Sequence, residues 1–131
     1  MAITLQAYLT IDGAAAAIEF YKAAFGAEEV RRVPADDGKR LMHAEIRVFG
    51  QSVLMSDAFP EYGNIQSPTA LGGTTFNMIA SLEARPDVDA AIAKAEKAGA
   101  TVVMPASDQF WGARFGMVRD PFGHLWAFNA D

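Results

Sequence analysis

The sequence predicts an α+β protein built from two βαβββ modules, and three observations support this fold class. Patterns typical of one strand, one helix and three further strands follow one another, and the same order begins again after residue 71. A glycine follows each predicted helix, Gly26 and Gly99, and Gly26 lies where a left-handed C-terminal cap is favoured. Near the end, Asp-Pro-Phe-Gly at 120–123 predicts a tight turn between two strands. We expect the modules to form a curved mixed sheet that bears a cleft.

The first module is expected over about residues 1–58. Apolar and polar side chains alternate over 3–11, as in a strand with two unlike faces. One face would carry Ile3, Leu5, Ala7, Leu9 and Ile11, and the other Gln6, Tyr8 and Thr10. Asp12 is a candidate N-cap for a helix over 13–25, because its carboxylate can accept from free amides of the first turn. Strands then follow at 28–33, 40–49 and 52–57, with hairpin turns at 35–38 and 50–51.

A linker and the second module account for the rest of the chain. Residues 59–71 contain two prolines and a glycine and show no period, which predicts a connecting loop. The second module, about 72–131, would contain a strand at 74–82, an alanine-rich helix at 86–98 and strands at 100–104, 113–119 and 124–128. With 131 residues, 51% of them hydrophobic, we expect one domain with one core.

Composition narrows the classes of function. The chain has no cysteine, which removes disulfides, thiolate nucleophiles and cysteine–zinc sites. Its net charge of −5 and its scattered Lys and Arg argue against a nucleic-acid partner. The sequence shows neither a long apolar run nor a signal-peptide pattern, so we expect a cytoplasmic protein without a membrane partner.

Three stretches carry a resemblance to a known family. They are Asp-Gln-Phe-Trp-Gly-Ala-Arg-Phe-Gly-Met-Val-Arg-Asp-Pro-Phe-Gly-His-Leu-Trp at 108–126, Ile-Glu-Phe-Tyr-Lys-Ala-Ala-Phe-Gly-Ala-Glu at 18–28 and Met-His-Ala-Glu-Ile-Arg-Val at 42–48. Together they resemble the glyoxalase / bleomycin-resistance / extradiol dioxygenase superfamily, also called vicinal oxygen chelate proteins, and within it the PhnB-like branch. The resemblance implies the duplicated βαβββ fold, commonly in a homodimer.

Metal ligands are the next implication of this resemblance. Metal-binding members place four ligands, usually His, Glu or Gln, on the first and last strands of each module. In this chain those positions fall on Gln6, on Leu54 or Met55, on Asn77 and on Ala127. Transition ions need three or four imidazole, carboxylate or thiolate ligands, and this set does not provide them. We therefore predict neither a metal nor another cofactor.

His43 and Glu45 are the candidates for catalysis. They lie two apart on a predicted strand and so share a face, opposite to Met42, Ala44, Ile46 and Val48. If this face lines the cleft, a His–Glu pair would serve as a general base or bind a polar ligand. The alternative is a solvent-facing or cross-strand pair. For His124, directly after the turn glycine, we predict a structural role.

Aromatic residues supply the other candidates for a binding site. Trp111 lies in a glycine-rich segment, and Phe59, Tyr62 and Phe76 are expected to join it near the cleft mouth. Packing or a dimer contact is the alternative for Trp111, and pairing with Asp120 or Glu45 is the alternative for Arg114. The full set of candidate ligand-binding residues is Gln6, Tyr8, His43, Glu45, Asn77, Trp111 and Arg114.

Metal-independent binding of a small organic molecule, cationic or aromatic in character, is the function that the sequence favours. The alternative is a lyase, isomerase or dioxygenase-type enzyme, either metal-dependent or acid–base through His43 and Glu45. A structural or regulatory dimer without a ligand is the third class.

Overall fold

The computed structural model of the protein describes residues 1–63 and 65–131 and has the predicted α+β architecture. Two four-stranded mixed sheets form, with orders β1-β4-β3-β2 and β5-β8-β7-β6. The first module consists of β1 (Tyr8–Ile11), α1 (Ala14–Phe25), β2 (Glu28–Pro34), β3 (Leu41–Val48) and β4 (Gln51–Asp57). The second consists of β5 (Asn77–Ser81), α3 (Arg85–Ala98), β6 (Thr101–Asp108), β7 (Arg114–Arg119) and β8 (Leu125–Ala130). A short helix, α2 (Pro68–Leu71), lies in the linker, where the sequence predicted only a loop.

Each module repeats the same pairing. The first strand runs parallel to the last one, and the three later strands are antiparallel neighbours. One face of each sheet packs against its helix, and α1 and α3 also contact each other. We call the opposite surface of each sheet its open face. Among the described residues, no helix is both long and apolar enough to cross a membrane.

The N-terminal strand is shorter than predicted. Only residues 8–11 pair with β4, whereas Ile3 and Leu5 are 85% and 96% exposed. The predicted alternation of faces is correct for Tyr8, Leu9 and Thr10. A strand also needs a hydrogen-bonded partner, however, and β4 pairs only with the C-terminal half of this segment.

The cap of α1 also differs from the prediction. Gly13, with φ 105°, occupies the N-cap, and Asp12 makes no side-chain cap hydrogen bond there. The carboxylate of Asp57, at the end of β4, caps the helix instead. Its Oδ1 accepts from the amides of Gly13 (2.8 Å) and Ala14 (3.0 Å). Its Oδ2 accepts from the amide of Leu41 at 2.6 Å. Asp57 is buried and so ties the start of α1 and the start of β3 to β4.

A β-bulge displaces one residue of β3 from its predicted face. Val33 pairs with His43 and Pro34 with Leu41, so Met42 has no opposite residue. Met42 is consequently exposed, while Ala44, Ile46 and Val48 pack into the core as predicted. The β3–β4 turn is also shifted, because positive φ angles at Phe49 and Gly50 place the turn there and leave Gln51 in β4.

The predicted turn at 120–123 joins the two modules. Asp120 is buried, and its Oδ1 accepts from the amides of Phe122 (2.9 Å) and His124 (3.0 Å). Its Oδ2 accepts from the hydroxyl of Tyr21 in α1 at 2.5 Å and from Nε1 of Trp126 at 3.0 Å. Burial, followed by the neighbouring Asp120 carboxylate, raises the pKa of Tyr21 well above its ordinary value. A carboxylate of the second module is therefore held by a phenol of the first.

Candidate functional site

Four of the seven candidate ligand-binding residues lie close together around the open face of the first sheet. Register brings them together, since Tyr8 and Glu45 both pair with Leu54 from opposite sides. The Tyr8 hydroxyl lies 2.8 Å from Nδ1 of His43, and their rings are 5.6 Å apart. His43 thus has Tyr8 as its hydrogen-bond partner.

Glu45 belongs to a second group of hydrogen bonds on the same face. Nε2 of Gln6 donates to Oγ of Ser52 at 2.6 Å, and that hydroxyl donates to Oε2 of Glu45 at 2.7 Å. Glu45 and His43 therefore share a face, as predicted, but each is oriented by a different neighbour. The first open face thus carries two hydrogen-bonded groups of polar side chains, one of two residues and one of three.

A cavity of about 410 Å³ lies at one end of this face, under the linker. We call it the linker pocket; its lining residues are Tyr8, Thr10, Ser56, Asp57, Phe59, Tyr62, Gly63 and Ile65. Three aromatic rings contribute to the wall, and the hydroxyls of Thr10 and Ser56 come from adjacent strands that pair at these residues. The wall combines apolar surface with a few polar groups, as small-molecule sites commonly do.

Arg40 holds the linker against the first module. Its guanidinium donates to both carboxylate oxygens of Glu61 (2.7 and 3.1 Å) and to Oδ2 of Asp37 (2.7 Å). It also stacks over the ring of Phe59, 4.3 Å from the ring centre. Hydrogen bonds from Arg40 hold the pKa of Glu61 below its usual value, and with the amide of Lys39 they do the same for Asp37. Both carboxylates are thus charged at neutral pH.

The other three candidates lie on the second module. Asn77 is exposed at the start of the edge strand β5. Trp111 is half exposed at the β6–β7 turn, where it contacts Phe110 and Phe115. Phe59 and Tyr62, which were expected beside Trp111, instead line the linker pocket.

Arg114 is engaged in ion pairs. It reaches Asp89 of α3 through two hydrogen bonds of 2.7 Å and Asp108 at 3.0 Å, so the suggested pairing with Asp120 or Glu45 is wrong. The reason is strand alternation: Arg114 has the same parity as buried Gly116 and Val118, and this parity points toward α3.

The positions that the resemblance assigns to metal ligands do not suit a metal. Met55 is fully buried in the core, Leu54 and Ala127 have no donor atom, and Asn77 offers only a neutral amide. The amide nitrogen of Gln6 is directed to Ser52. Within residues 1–63 and 65–131, no three His, Cys, Asp or Glu side chains cluster as a metal site would require.

His124 lies where the β7–β8 turn meets the first module. Its Nε2 donates to the carbonyl of Thr10 at 3.0 Å, and its ring packs near Phe76. Its Nδ1 is buried and finds no hydrogen-bond partner in the described part of the chain. The ring also borders a second cavity, of about 500 Å³, formed largely by Gln66, Pro68 and residues 71–76.

Sequence reasoning missed Ser52, Ser56 and Arg40 as contributors to this region. The two serines share the face of Tyr8 and Glu45 by alternation along β4, so strand parity was a usable signal. Arg40 had no such signal, because its partner Glu61 is remote in sequence and meets it only in the folded chain.

Comparison with known proteins identifies the family to which this architecture belongs. The model of the Glyoxalase/Bleomycin resistance protein/Dioxygenase superfamily matches residues 4–128. The chain belongs to this superfamily. An uncharacterised protein of Mycobacterium bovis, Mb0911c, is 46% identical over 127 residues, covering 95% of this chain and 81% of that protein.

Solved structures of other proteins share this fold. TioX from Micromonospora sp. ML1 has 28% identity and a TM-score of 0.69, with 98% of this chain and 96% of TioX covered. The PhnB protein of Bacillus cereus has 20% identity and a TM-score of 0.75, with 98% and 100% covered. At 20% identity, the second likeness concerns the fold alone.

Proposed function

We propose that this protein binds a small organic molecule, aromatic or cationic in character, in the linker pocket and without a metal ion. The observation that carries the proposal is the pocket itself, in which Tyr8, Phe59 and Tyr62 surround the hydroxyls of Thr10 and Ser56. Aromatic surface supplies most of the affinity in such sites, while a few polar groups set the orientation. The unsuitable donor set at the superfamily's metal positions supports metal independence.

A homodimer and membership of the PhnB-like branch are parts of the same proposal, together with a cytoplasmic location. The open face of the second sheet supports a dimer, because Ile79, Phe110 and Trp111 are at least half exposed there or at its turn. A partner subunit would cover this apolar surface and complete the cleft. Analytical ultracentrifugation tests the dimer, and a monomer at all concentrations would contradict it.

A fragment screen tests the binding function. Small neutral and cationic aromatic compounds are titrated into ¹⁵N-labelled protein, and amide shifts of Thr10, Ser56 and Gly63 report the linker pocket. We expect saturable shifts at these residues that do not change when a chelator is added. A Thr10→Val variant should weaken binding if its hydroxyl orients the ligand. Shifts confined to other surfaces, or binding that requires a divalent ion, would contradict the proposal.

An acid–base enzyme is the second candidate, and the Tyr8–His43 contact of 2.8 Å favours it. The tyrosine orients the imidazole, so His43, with Tyr8 in place of Glu45, would exchange a proton with a substrate. His43→Ala should then abolish turnover of a bound compound while its affinity changes little. Parallel losses of affinity and turnover would count against this role.

A further inference from the structure

Charges near the linker pocket narrow the class of its ligand. Among its described lining residues there is one acidic side chain, Asp57, whose carboxylate accepts from backbone amides, and neither Lys nor Arg. Arg40 contacts the ring of the lining residue Phe59, and its guanidinium is paired with Asp37 and Glu61. Two carboxylates against one guanidinium leave this cluster with a net negative charge, on a chain whose own net charge is −5. An organic anion would find no cationic side chain among these described lining residues.

The aromatic rings add a second preference. Tyr8 and Tyr62 are accessible, and Phe59 lies near Tyr62, with 6.0 Å between ring centres. The face of an aromatic ring carries partial negative charge and attracts cations, especially weakly hydrated ones such as alkylated ammonium groups. Arg40 already uses one face of Phe59 in this way. The tyrosine rings are therefore the ones available to a ligand.

Resting on the binding function proposed above, we infer that the linker pocket selects an organic cation, of the alkylated-ammonium class, which the ring faces of Tyr8 and Tyr62 contact. The hydroxyl of Thr10 would donate to or accept from a polar group elsewhere on the ligand, and that of Ser56, which already donates to the carbonyl of Asp57, would accept from it. Arg40 acts as a positioning residue, because it fixes Phe59 and Glu61 without lining the pocket. This assigns a ligand class to a site whose ligand was otherwise open.

A pair of matched probes tests the charge preference. Choline and its neutral isostere 3,3-dimethylbutan-1-ol have the same shape and differ in charge, so the ratio of their affinities isolates the cationic contribution. Both are titrated into the ¹⁵N-labelled protein at about 0.15 M salt, where long-range attraction to the acidic chain is screened. We expect choline to bind at the linker pocket about tenfold more tightly than the isostere.

Variants locate the binding. Tyr62→Leu should lower choline affinity about fivefold and leave the isostere nearly unchanged, whereas Tyr62→Phe, which keeps the ring, should retain most of the affinity. Tyr62 is 81% exposed, so neither change is expected to disturb folding. Phe110→Leu is the matched control, since this ring is equally accessible but lies in the second module.

The outcomes separate this inference from the underlying function. Equal affinities for choline and the isostere, binding of neither, or an unchanged choline affinity in Tyr62→Leu would each overturn the cation assignment. If neutral aromatic fragments still shift Thr10 and Ser56 in those cases, binding by the linker pocket stands with another ligand class. If no fragment shifts them either, both proposals fail together.

Discussion

The two modules repeat one architecture but differ in the chemistry of their open faces. The first sheet presents Tyr8, His43, Glu45 and Ser52, joined in hydrogen-bonded groups. At the paired central positions of β5 and β7, the second sheet presents Ile79 and Met117 on either side of the buried Ala127, and the polar residues Asn77, Ser81 and Asn129 have the same strand parity. The two sheets thus share one strand order, but the first open face carries hydrogen-bonded side-chain groups and the second has an apolar centre. The binding site that we propose lies against the first module, and the dimer contact that we propose lies on the second.

The buried aspartates show a related difference. Asp57 accepts only from amides of its own module, so it completes α1 and β3 locally. Asp120 accepts from its own turn and also from Tyr21 of the other module. One carboxylate therefore stabilises a module, and the other joins the two modules together.

The largest expected effect comes from removing the joining carboxylate. Asp120→Ala leaves the Tyr21 hydroxyl, the Trp126 indole and two amides without their acceptor in a buried site. We expect the free energy of unfolding to fall by about 3–5 kcal/mol, measured by urea denaturation. The exposed turn residue Asp36→Ala is the control and should cost little. A loss of less than about 1 kcal/mol would mean that Asp120 does not join the modules.

Tyr21→Phe tests this hydrogen bond alone, because it removes the Tyr21–Asp120 bond between the modules and keeps the ring in the core. One hydrogen bond to a buried carboxylate is lost, so we expect about 1.5–3 kcal/mol at neutral pH. Near-UV circular dichroism during urea denaturation would follow the change through the Trp126 environment. A loss shared equally by Tyr62→Phe would contradict a specific role for Tyr21.

The pH dependence of this pair has a definite sign. The pKa of Tyr21 is raised in the folded protein, so its contribution to stability is complete below the unfolded value of about 10. As pH rises above that value, the unfolded chain ionises first and the stability of the wild type declines. The stability difference between wild type and Tyr21→Phe should therefore shrink between about pH 10 and 11. A difference that grows with pH would contradict the raised pKa.

Patterns local in sequence predicted most of the fold. Alternation along β3, glycines after both helices and the turn at 120–123 each depend on neighbouring residues, and the structure bears them out. The errors occur where a distant residue decides. Asp57 replaces Asp12 at the start of α1 across more than forty positions, and a bulge against β2 exposes Met42.

The candidate site shows the same contrast between features set by neighbouring residues and features set by distant ones. Strand parity brought Gln6, Tyr8, His43 and Glu45 to one region, because side-chain direction along a strand is local. The hydrogen-bond partners of His43 and Glu45 were not predictable, since Tyr8 and Ser52 reach them through sheet register. The partner of Arg114 was not predictable either, because Asp89 lies on α3 and meets Arg114 only in the folded chain.

The packing of each helix on its sheet also differs between the modules. A substitution there should have the smallest effect on the free energy of unfolding among these predictions. Beneath α3, β7 presents Gly116, where an added Cβ would lie 2.1 Å from Cδ1 of Ile92 and 3.1 Å from the carbonyl oxygen of Met104. In the first module, the buried helix-side positions of β3 carry side chains, at Ala44 and Ile46. We expect Gly116→Ala to cost about 1–3 kcal/mol in a thermal or urea unfolding measurement, because the helix or strand must shift.

Ile92→Val tests whether this close approach is the cause, because it deletes the Cδ1 atom that the new methyl group would meet. The single change should cost about 0.5–1.5 kcal/mol. Combined with Gly116→Ala, it should cost less than the sum of the two single changes, since the added carbon fills space that the deletion vacates. Backbone atoms of Met104 and Ala106 remain near the methyl group, so the rescue should be partial. Strict additivity would instead place the cost of Gly116→Ala in those backbone contacts, and α3 would then not depend on a glycine for its position on the second sheet.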